Sequence, residues 1–336
     1  MKRNMVTLAC IMGLTLINCS FLNNAQAATK KHTFKIAHTI LPAPSASRGA
    51  IEELADRVTK ETDGRIKFKR YGIELGDYLE INEMVLRGEV DIMLDPIATT
   101  FDPRWAAMQF PYLVTDYSSA AEIFGPGGFM NTLFTKWADE KGMHWMGTWM
   151  QGFTGVSLDH PATTPEEAKG LKIRSTPVGL IQDIYRNLGF EVSILPYSEV
   201  PTAISTGVIE GQAGGGPAQS WNLVRDINKY YIHYRDSLEL WGFVMNKDTW
   251  ENLEADDQEL FLNIVNEIVA KRVLTAEAEE EEYMKKLSDH GLTVIDLIDT
   301  PDKLAKATEL GRKTWPKMEE IIGKEAMETI RTSLKK

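Results

Sequence analysis

The chain has 336 residues and a formal net charge of −11 at neutral pH. This acidity argues against a nucleic acid or an anionic membrane surface as the partner, because both would repel the protein. Beyond the N-terminal segment, no apolar run is long enough to cross a bilayer. A chain of this length exceeds one ordinary small core, so we expect two lobes.

The first 27 residues have the pattern of a secretory signal peptide. Lys2 and Arg3 form a positive start, residues 6–21 are largely apolar, and Ala-Gln-Ala at 25–27 supplies a cleavage pattern of small residues. The apolar run is too short and too interrupted for a comfortable membrane span. The predicted location is therefore the periplasm. A lipoprotein attached through Cys19 is the weaker alternative.

Both cysteines, Cys10 and Cys19, lie within this segment. A mature chain without it therefore has no disulfide, no thiolate nucleophile and no cysteine-bound metal. Removal of the segment also takes away Lys2 and Arg3, which lowers the formal net charge from −11 to −13. Any anion site must then be a local positive spot on an acidic protein.

Short apolar strands alternate with amphipathic helices along the mature chain, which is typical of an α/β protein. The strands of the first lobe are expected at 33–38, 65–71 and 90–94, with helices at 46–62 and 78–87. A second, similar set of strands is expected at 143–149, 155–158, 171–173, 191–195 and 210–213. The first set predicts a parallel sheet, and a strand at 242–246 returns the chain to it.

A long helix is predicted at about residues 256–290, and most of its strongly acidic later part, Glu277 and residues 279–282, should face water. At 1.5 Å per residue it would be on the order of 50 Å long, which exceeds one lobe, so it should bridge both. We place lobe 1 at 28–150 plus about 239–270, and lobe 2 at 151–238 plus about 271–336. Such an architecture is a hinged clamp with the ligand between the lobes.

Arg174 is the first candidate for a binding residue, because the strand predicted at 171–173 ends on it. In open α/β sheets, ligands lie beyond the carboxyl ends of the strands. The guanidinium group can hold a carboxylate through two parallel hydrogen bonds. On position alone, a surface arginine that pairs with a nearby glutamate is an equal alternative.

Four segments carry a recognisable combined pattern. They are residues 71–93, from Tyr-Gly-Ile-Glu-Leu-Gly to Gly-Glu-Val-Asp-Ile-Met; residues 110–116, which open with Phe-Pro-Tyr-Leu; residues 165–174, which end in Gly-Leu-Lys-Ile-Arg; and residues 188–212, which end in Gly-Val-Ile-Glu-Gly-Gln. In this order and spacing, they resemble the periplasmic substrate-binding subunits of TRAP transporters, the DctP family. The resemblance covers nearly the whole mature chain.

The resemblance implies a two-lobed α/β periplasmic binding protein fold, with crossing strands, a long domain-spanning helix and a cleft between the lobes. It implies that the protein captures a small organic acid and delivers it to a membrane permease, with no cofactor and no catalysis. In that family, the arginine at the position of Arg174 holds the substrate carboxylate, which agrees with the strand-end argument.

Two departures from the family pattern bear on the ligand. Many members carry a second arginine where this chain has Thr154, so a second charged contact is not expected. The stretch around Gly215 lacks the asparagine of acid-binding members and offers backbone N–H groups instead. A flexible connector is the alternative reading of this stretch.

A metal-bridged subgroup of the family offers a further comparison. Gln151 and Glu239 match two of its ligand positions, but Ala213 and Gly214 replace a Glu-Trp pair, so no bound metal is expected. Gln151 and Glu239 remain ligand-binding candidates without a metal.

Position suggests five further residues near the cleft. They are Trp149, Trp241, Thr39, Glu74 and Tyr78. Together with the missing second arginine, the aromatic residues favour a monocarboxylate with an apolar or aromatic body. Asp95 either meets a ligand hydroxyl or ammonium group or, by the preferred reading, caps the turn at Pro96.

Two other classes of protein compete with this interpretation. A binding protein of an ABC importer or a sensor system would have a similar fold. An enzyme is disfavoured, because the chain has no Gly-x-Ser-x-Gly elbow or Walker loop, and its six histidines are scattered without metal-ligand spacing.

Overall fold

The computed structural model describes residues 30–39, 45–176, 179–195 and 197–334. The predicted signal peptide lies outside these residues. The strands are β1 (His32–Ala37), β2 (Ile66–Tyr71), β3 (Ile92–Asp95), β4 (Met143–Phe153), β5 (Gly155–Leu158), β6 (Lys172–Ser175), β7 (Glu191–Ile194), β8 (Gly211–Gly215), β9 (Tyr230–His233), β10 (Leu238–Asn246) and β11 (Thr293–Asp296).

Helices cover both faces of the sheets that these strands form. They are α1 (Ala46–Glu61), α2 (Tyr78–Leu86), α3 (Tyr117–Phe124), α4 (Phe129–Asp139), α5 (Pro165–Ala168), α6 (Gly179–Asn187), α7 (Val200–Ser205), α8 (Pro217–Val224), α9 (Lys247–Glu251), α10 (Ala255–Asp289), α11 (Pro301–Gly311), α12 (Trp315–Ile322) and α13 (Lys324–Ser333). Within the described residues, no helix is long and apolar enough to span a membrane.

The strands form two separate sheets, which confirms the predicted two-lobed α/β fold. The first sheet has the order β2-β1-β3-β10-β4, and the second has the order β11-β9-β5-β8-β6-β7. In the first, β1 runs parallel to β2 and β3, whereas β10 is antiparallel to β3 and β4. Strands β9 and β11 have no counterpart among the predicted strands.

Local sequence explains how the first lobe begins. The hydroxyl of Ser45 accepts a hydrogen bond from the backbone N–H of Arg48 and starts α1. Helix α2 begins with a capping box, in which Asp77 and Glu80 each accept a backbone N–H of the first turn. These caps fix two helices immediately after the carboxyl ends of β1 and β2, at the edge where a ligand is expected.

Two of the segments that connect the sheets lie side by side and are hydrogen-bonded to each other. Thr154 separates β4 from β5, and residues 234–237 separate β9 from β10. The N–H of Thr154 donates to the carbonyl of Ser237 at 3.0 Å, and the N–H of Arg235 donates to the carbonyl of Thr154 at 3.0 Å. The Thr154 hydroxyl also donates to the buried carboxylate of Asp236 at 3.1 Å.

Helix α10 has 35 residues, about 52 Å at 1.5 Å per residue, and contacts both lobes as predicted. Phe261, Ile264 and Val265 are buried against the first sheet. Near the other end, Leu287 packs with Tyr231 of the second sheet. The helix therefore stabilises both lobes along one rigid element.

Helices α12 and α13 pack on the first lobe. Met318 and Met327 share a buried cluster with Trp105 and Phe110 of that lobe. These contacts differ from the predicted boundaries, which assign everything after about residue 271 to the second lobe. Apolar spacing predicts that a helix is buried but not which of two cores it joins. The other boundaries of the two lobes remain predictions.

We expect Phe261→Ala to lower the free energy of unfolding by about 3–5 kcal/mol, because truncation of a buried phenylalanine leaves a cavity. Phe261 is fully buried, and its ring lies 6.3 Å from those of Phe34 and Phe68. The matched control is Leu274→Ala in the same helix, where the leucine is 82% exposed and the effect should stay within about 0.5 kcal/mol. Urea unfolding measures both. Equal effects would contradict the described packing of α10.

Candidate ligand-binding cleft

A cleft of about 1120 Å³ lies between the two lobes. The first lobe contributes the segments that follow β1, β2 and β3, and strand β10 contributes Glu239 and Trp241. The second lobe contributes the end of β6, the segment after β7 and the end of β8. The cleft thus lies at the carboxyl ends of the parallel strands, where α/β sheets bind ligands.

Arg174 lies in β6 and extends into this cleft, although only 6% of its surface is exposed. Its Nε donates to the carbonyl of Leu195 at 3.1 Å, and its guanidinium lies 5.6 Å from the ring centre of Tyr197. Within the described part of the chain, its two terminal nitrogens have no hydrogen-bond acceptor. Burial lowers the pKa of Arg174, and Tyr197, Tyr78 and Glu239 oppose this effect.

Glu239 lies on the cleft wall in a fixed hydrogen-bond arrangement. The indole N–H of Trp241 donates to Oε1 at 3.1 Å, and the side-chain amide of Gln219 donates to Oε2 at 3.0 Å. The other end of the Gln219 amide accepts the N–H of Gly216 at 2.6 Å, which sets the amide orientation. Burial raises the pKa of Glu239, and the two donors and Arg174 act in the opposite direction.

Several buried polar atoms of the cleft lining have no hydrogen-bond partner within the described residues. They are His38 Nδ1, Trp105 Nε1, Thr176 Oγ1, Tyr197 Oη and Gln212 Oε1. Because buried polar groups are normally paired, these atoms are available to a polar ligand or to water. Tyr197 and Gln212 lie in residues 188–212, one of the four segments of the combined pattern, but neither is predicted as a ligand contact. Their position beside Arg174 in the cleft is the feature that marks them.

Seven of the ten predicted ligand-binding residues line the cleft. They are Thr39, Glu74, Tyr78, Arg174, Gly215, Glu239 and Trp241. A side chain at Gly215 would displace the amide of Gln212, because an added Cβ would lie 2.8 Å from its Nε2. Contact of these residues with a ligand remains a prediction.

The other three predicted residues lie away from the cleft. Thr154 is fully buried at the strand crossing. Trp149 faces α10, where the guanidinium of Arg272 lies 5.0 Å from its ring centre, and its indole N–H donates to Gln151 at 3.0 Å. Gln151 lines a second, smaller pocket of about 40 Å³, which shares Glu239, Gln219 and Trp241 with the cleft. These three residues are therefore not among the residues that line the cleft: Thr154, Trp149 and Gln151.

Asp95 ends β3 behind the cleft wall and is fully buried. Its carboxylate accepts the N–H of Thr39 at 3.1 Å and the Thr39 hydroxyl at 2.5 Å. Burial raises the pKa of Asp95 to about 7, and the Thr39 donors limit that rise. Asp95 therefore fixes the loop after β1 and does not line the cleft. In the part of the chain that the structure describes, no cluster of three His or acidic side chains could hold a metal ion.

Residues 36–321 match the pattern of the bacterial extracellular solute-binding proteins, family 7, known as DctP. The match covers most of the chain. The protein belongs to this family. Membership of the DctP family identifies the protein as a solute receptor of a TRAP transport system rather than an enzyme, with a small-molecule ligand and a membrane permease as partners.

Individual DctP-family relatives can be aligned with most of this chain, and the alignments cover most of their own length. The chain is 24% identical to the C4-dicarboxylate-binding periplasmic protein of Rhodobacter capsulatus over 334 residues, 97% of each chain. It is 25% identical to the ectoine-binding periplasmic protein of Halomonas elongata, with 81% of each chain covered. A solved TRAP periplasmic solute-binding protein from Ochrobactrum anthropi has the same fold, with a TM-score of 0.83, 21% identity, and 91% and 95% of the two chains covered.

We expect Asp95 to make the DctP-family protein less stable as the pH rises from about 4 to 7. The folded state holds the Asp95 proton up to a pKa of about 7, whereas the unfolded chain loses it near the ordinary aspartate pKa of 3.8. The unfolded state binds fewer protons in this window, so unfolding becomes easier with increasing pH. The full difference corresponds to roughly 4 kcal/mol.

Urea unfolding of the wild type and Asp95→Asn at pH 4.5 and 7.5 checks this expectation. Asparagine keeps an oxygen for the Thr39 donors but does not titrate. The wild type should lose more stability between the two pH values than the variant does. The buried Asp236, whose pKa is raised to about 6, is present in both proteins and cancels in the comparison. Identical pH profiles would show that Asp95 does not titrate in this range.

Proposed function

We propose that this DctP-family protein captures a monocarboxylate with an apolar or aromatic body and presents it to a TRAP permease. The observation that carries the proposal is Arg174, which is buried in the cleft with its terminal nitrogens unengaged by described residues. A buried guanidinium whose one described hydrogen bond runs from Nε to the Leu195 carbonyl is costly, and a ligand carboxylate would accept two further charge-assisted hydrogen bonds from it.

The other charges of the cleft support one carboxylate rather than two. Arg48 and Arg70 also line it, but each is paired with an acidic side chain of its own lobe. The position where many family members carry a second arginine is Thr154, which is buried at the crossing. The relatives named above bind C4-dicarboxylates and ectoine by their names, so family membership alone leaves the ligand open.

The apolar part of the cleft supports the proposed ligand body. Several aromatic and aliphatic side chains line the walls: Tyr71, Tyr78, Ile97, Trp105, Met108, Tyr197, Leu240 and Trp241. Flat rings of this kind pack against apolar or aromatic ligands and keep a polar edge for orientation.

Ligand capture requires that the two lobes share the ligand. Arg174 belongs to the second sheet, whereas Tyr78 and Glu239 belong to the first lobe. A ligand held from both sides binds the closed arrangement better than the open one, and only this difference can drive closure. The closed shape is then the one that the permease recognises.

We expect Arg174→Ala to weaken binding of the cognate acid by roughly ten- to a hundredfold, because a charge-assisted hydrogen bond contributes about 1.5–3 kcal/mol. The control is Arg186→Ala in the same lobe, where the arginine is exposed and pairs with Asp183 at 2.9 Å. Isothermal titration calorimetry should show unchanged affinity for this control. Wild-type affinity in Arg174→Ala would rule out the proposed anchor.

The ligand class follows from a thermal-shift screen of the chain from residue 28 onward, against monocarboxylates, dicarboxylates, amino acids and sugars. A ligand at about one hundred times its dissociation constant adds about 2.7 kcal/mol of stability, which shifts the melting temperature measurably. We expect the largest shifts from monocarboxylates with apolar bodies, with or without an amino group, and clearly smaller shifts from these acids in Arg174→Ala. Shifts from sugars alone would contradict the carboxylate proposal, and stronger shifts from dicarboxylates would contradict its finer part.

A further inference from the structure

Two opposite charges face the same cleft without pairing with each other. Arg174 and Glu239 both line it, and each influences the other's pKa, as it does that of Tyr78. Their charged groups nevertheless lie more than 4.0 Å apart, since they form no ion pair. A separation of this kind leaves space between a positive and a negative group at the ligand site.

The hydrogen bonds of Glu239 favour its ionised form, against the burial that raises its pKa. The indole of Trp241 can only donate, and the amide of Gln219 must donate because its oxygen accepts the N–H of Gly216. Both carboxyl oxygens of Glu239 therefore accept hydrogen bonds, which favours the ionised form. A protonated carboxyl group would accept the hydrogen bond at its protonated oxygen more weakly, so the two donors favour the carboxylate.

An ionised Glu239 is unfavourable for a simple anion at Arg174. The anion would neutralise the arginine and leave the negative charge of the half-buried Glu239 beside it, on a cleft wall where solvent screens the repulsion less than at an open surface. A ligand that also carries a positive nitrogen removes this cost, because it pairs with both groups at once. The carboxylate then lies at Arg174 and the nitrogen at Glu239.

We propose that the cognate monocarboxylate is zwitterionic, with a cationic nitrogen that is held by Glu239. This inference rests on the proposed function, because it assumes that Arg174 holds the carboxylate. Trp241, which donates to Glu239 and lines the cleft, offers an aromatic surface beside the same nitrogen. Glu239 is thus the residue that selects amino or ammonium acids over plain acids.

The test uses pairs of acids that differ only in the nitrogen. Suitable pairs are L-proline with cyclopentanecarboxylate, L-phenylalanine with 3-phenylpropionate, and ω-amino acids of increasing length with the corresponding unsubstituted acids. Calorimetry on the wild type should show that the zwitterion of at least one pair binds tenfold or more tightly than its plain partner. Plain acids that bind as tightly as the zwitterions in every pair would overturn the proposal.

Glu239→Gln gives the decisive comparison. Binding of the zwitterion should weaken by tenfold or more, whereas the plain acid should bind equally or more tightly, because the repulsive charge is gone. Arg174→Ala should weaken both ligands. If Arg174→Ala changes the binding of neither ligand, the proposed function itself fails. If Arg174→Ala weakens binding but Glu239→Gln does not change binding of the zwitterion, the proposed function stands and this inference fails.

A second variant tests the role of Glu239 in case Glu239→Gln does not fold normally. In Glu239→Gln, one of the donors from Trp241 and Gln219 would face the new amide nitrogen. The double variant Gln219→Glu with Glu239→Gln moves the carboxylate by one side chain and satisfies all these donors again, with the Gly216 N–H bound to the new glutamate. Its preference for the zwitterion should partly return. A double variant that folds normally and still prefers the plain acid would overturn the assignment of Glu239.

Discussion

The hydrogen-bonded crossing of the two connecting strands is the constraint on which the rest of the structure depends. Thr154 and residues 234–237 are joined through backbone and side-chain hydrogen bonds, so the chain leaves and re-enters the first sheet at one fixed place. Strand β10 starts directly after this crossing. The crossing therefore positions Glu239 and Trp241, and with them the part of the cleft wall that faces Arg174. Helix α10 supports the same region, because Arg272 donates to the carbonyls of Met150 and Gln151.

The cleft combines a rigid frame with a small number of unsatisfied polar groups. Its frame consists of strand ends and capped helices, whose backbone groups are satisfied within each lobe. Its groups without a hydrogen-bond partner among the described residues are the terminal nitrogens of Arg174 and single atoms such as the Tyr197 hydroxyl and the side-chain oxygen of Gln212. Specificity in such a site follows from which of these groups a ligand leaves unpaired.

Strand and helix periodicity predicted the two-lobed fold and the long helix, and the strand-end rule predicted Arg174. The errors concern side-chain direction and tertiary contact. Trp149 and Trp241 are register partners on neighbouring strands, yet α10 and Arg272 cover the former while the latter reaches the cleft. Thr154 follows β4 directly in sequence, but the crossing buries it. Nothing in a single sequence shows which strand a helix will cover, and the same limit explains the misplaced α12 and α13.

The smaller pocket that shares Glu239 with the cleft has a consequence for hydration. Its volume of about 40 Å³ has room for at least one water molecule, and Gln151, Arg272 and Glu279 also line it. Glu239 thus borders two pockets, and a ligand in the cleft fills only one of them. Water in the other pocket can keep part of the carboxylate hydrated, which reduces but does not remove its repulsion of a bound anion. This arrangement lets a charged group be buried against a ligand without the full dehydration cost that a closed apolar wall would impose.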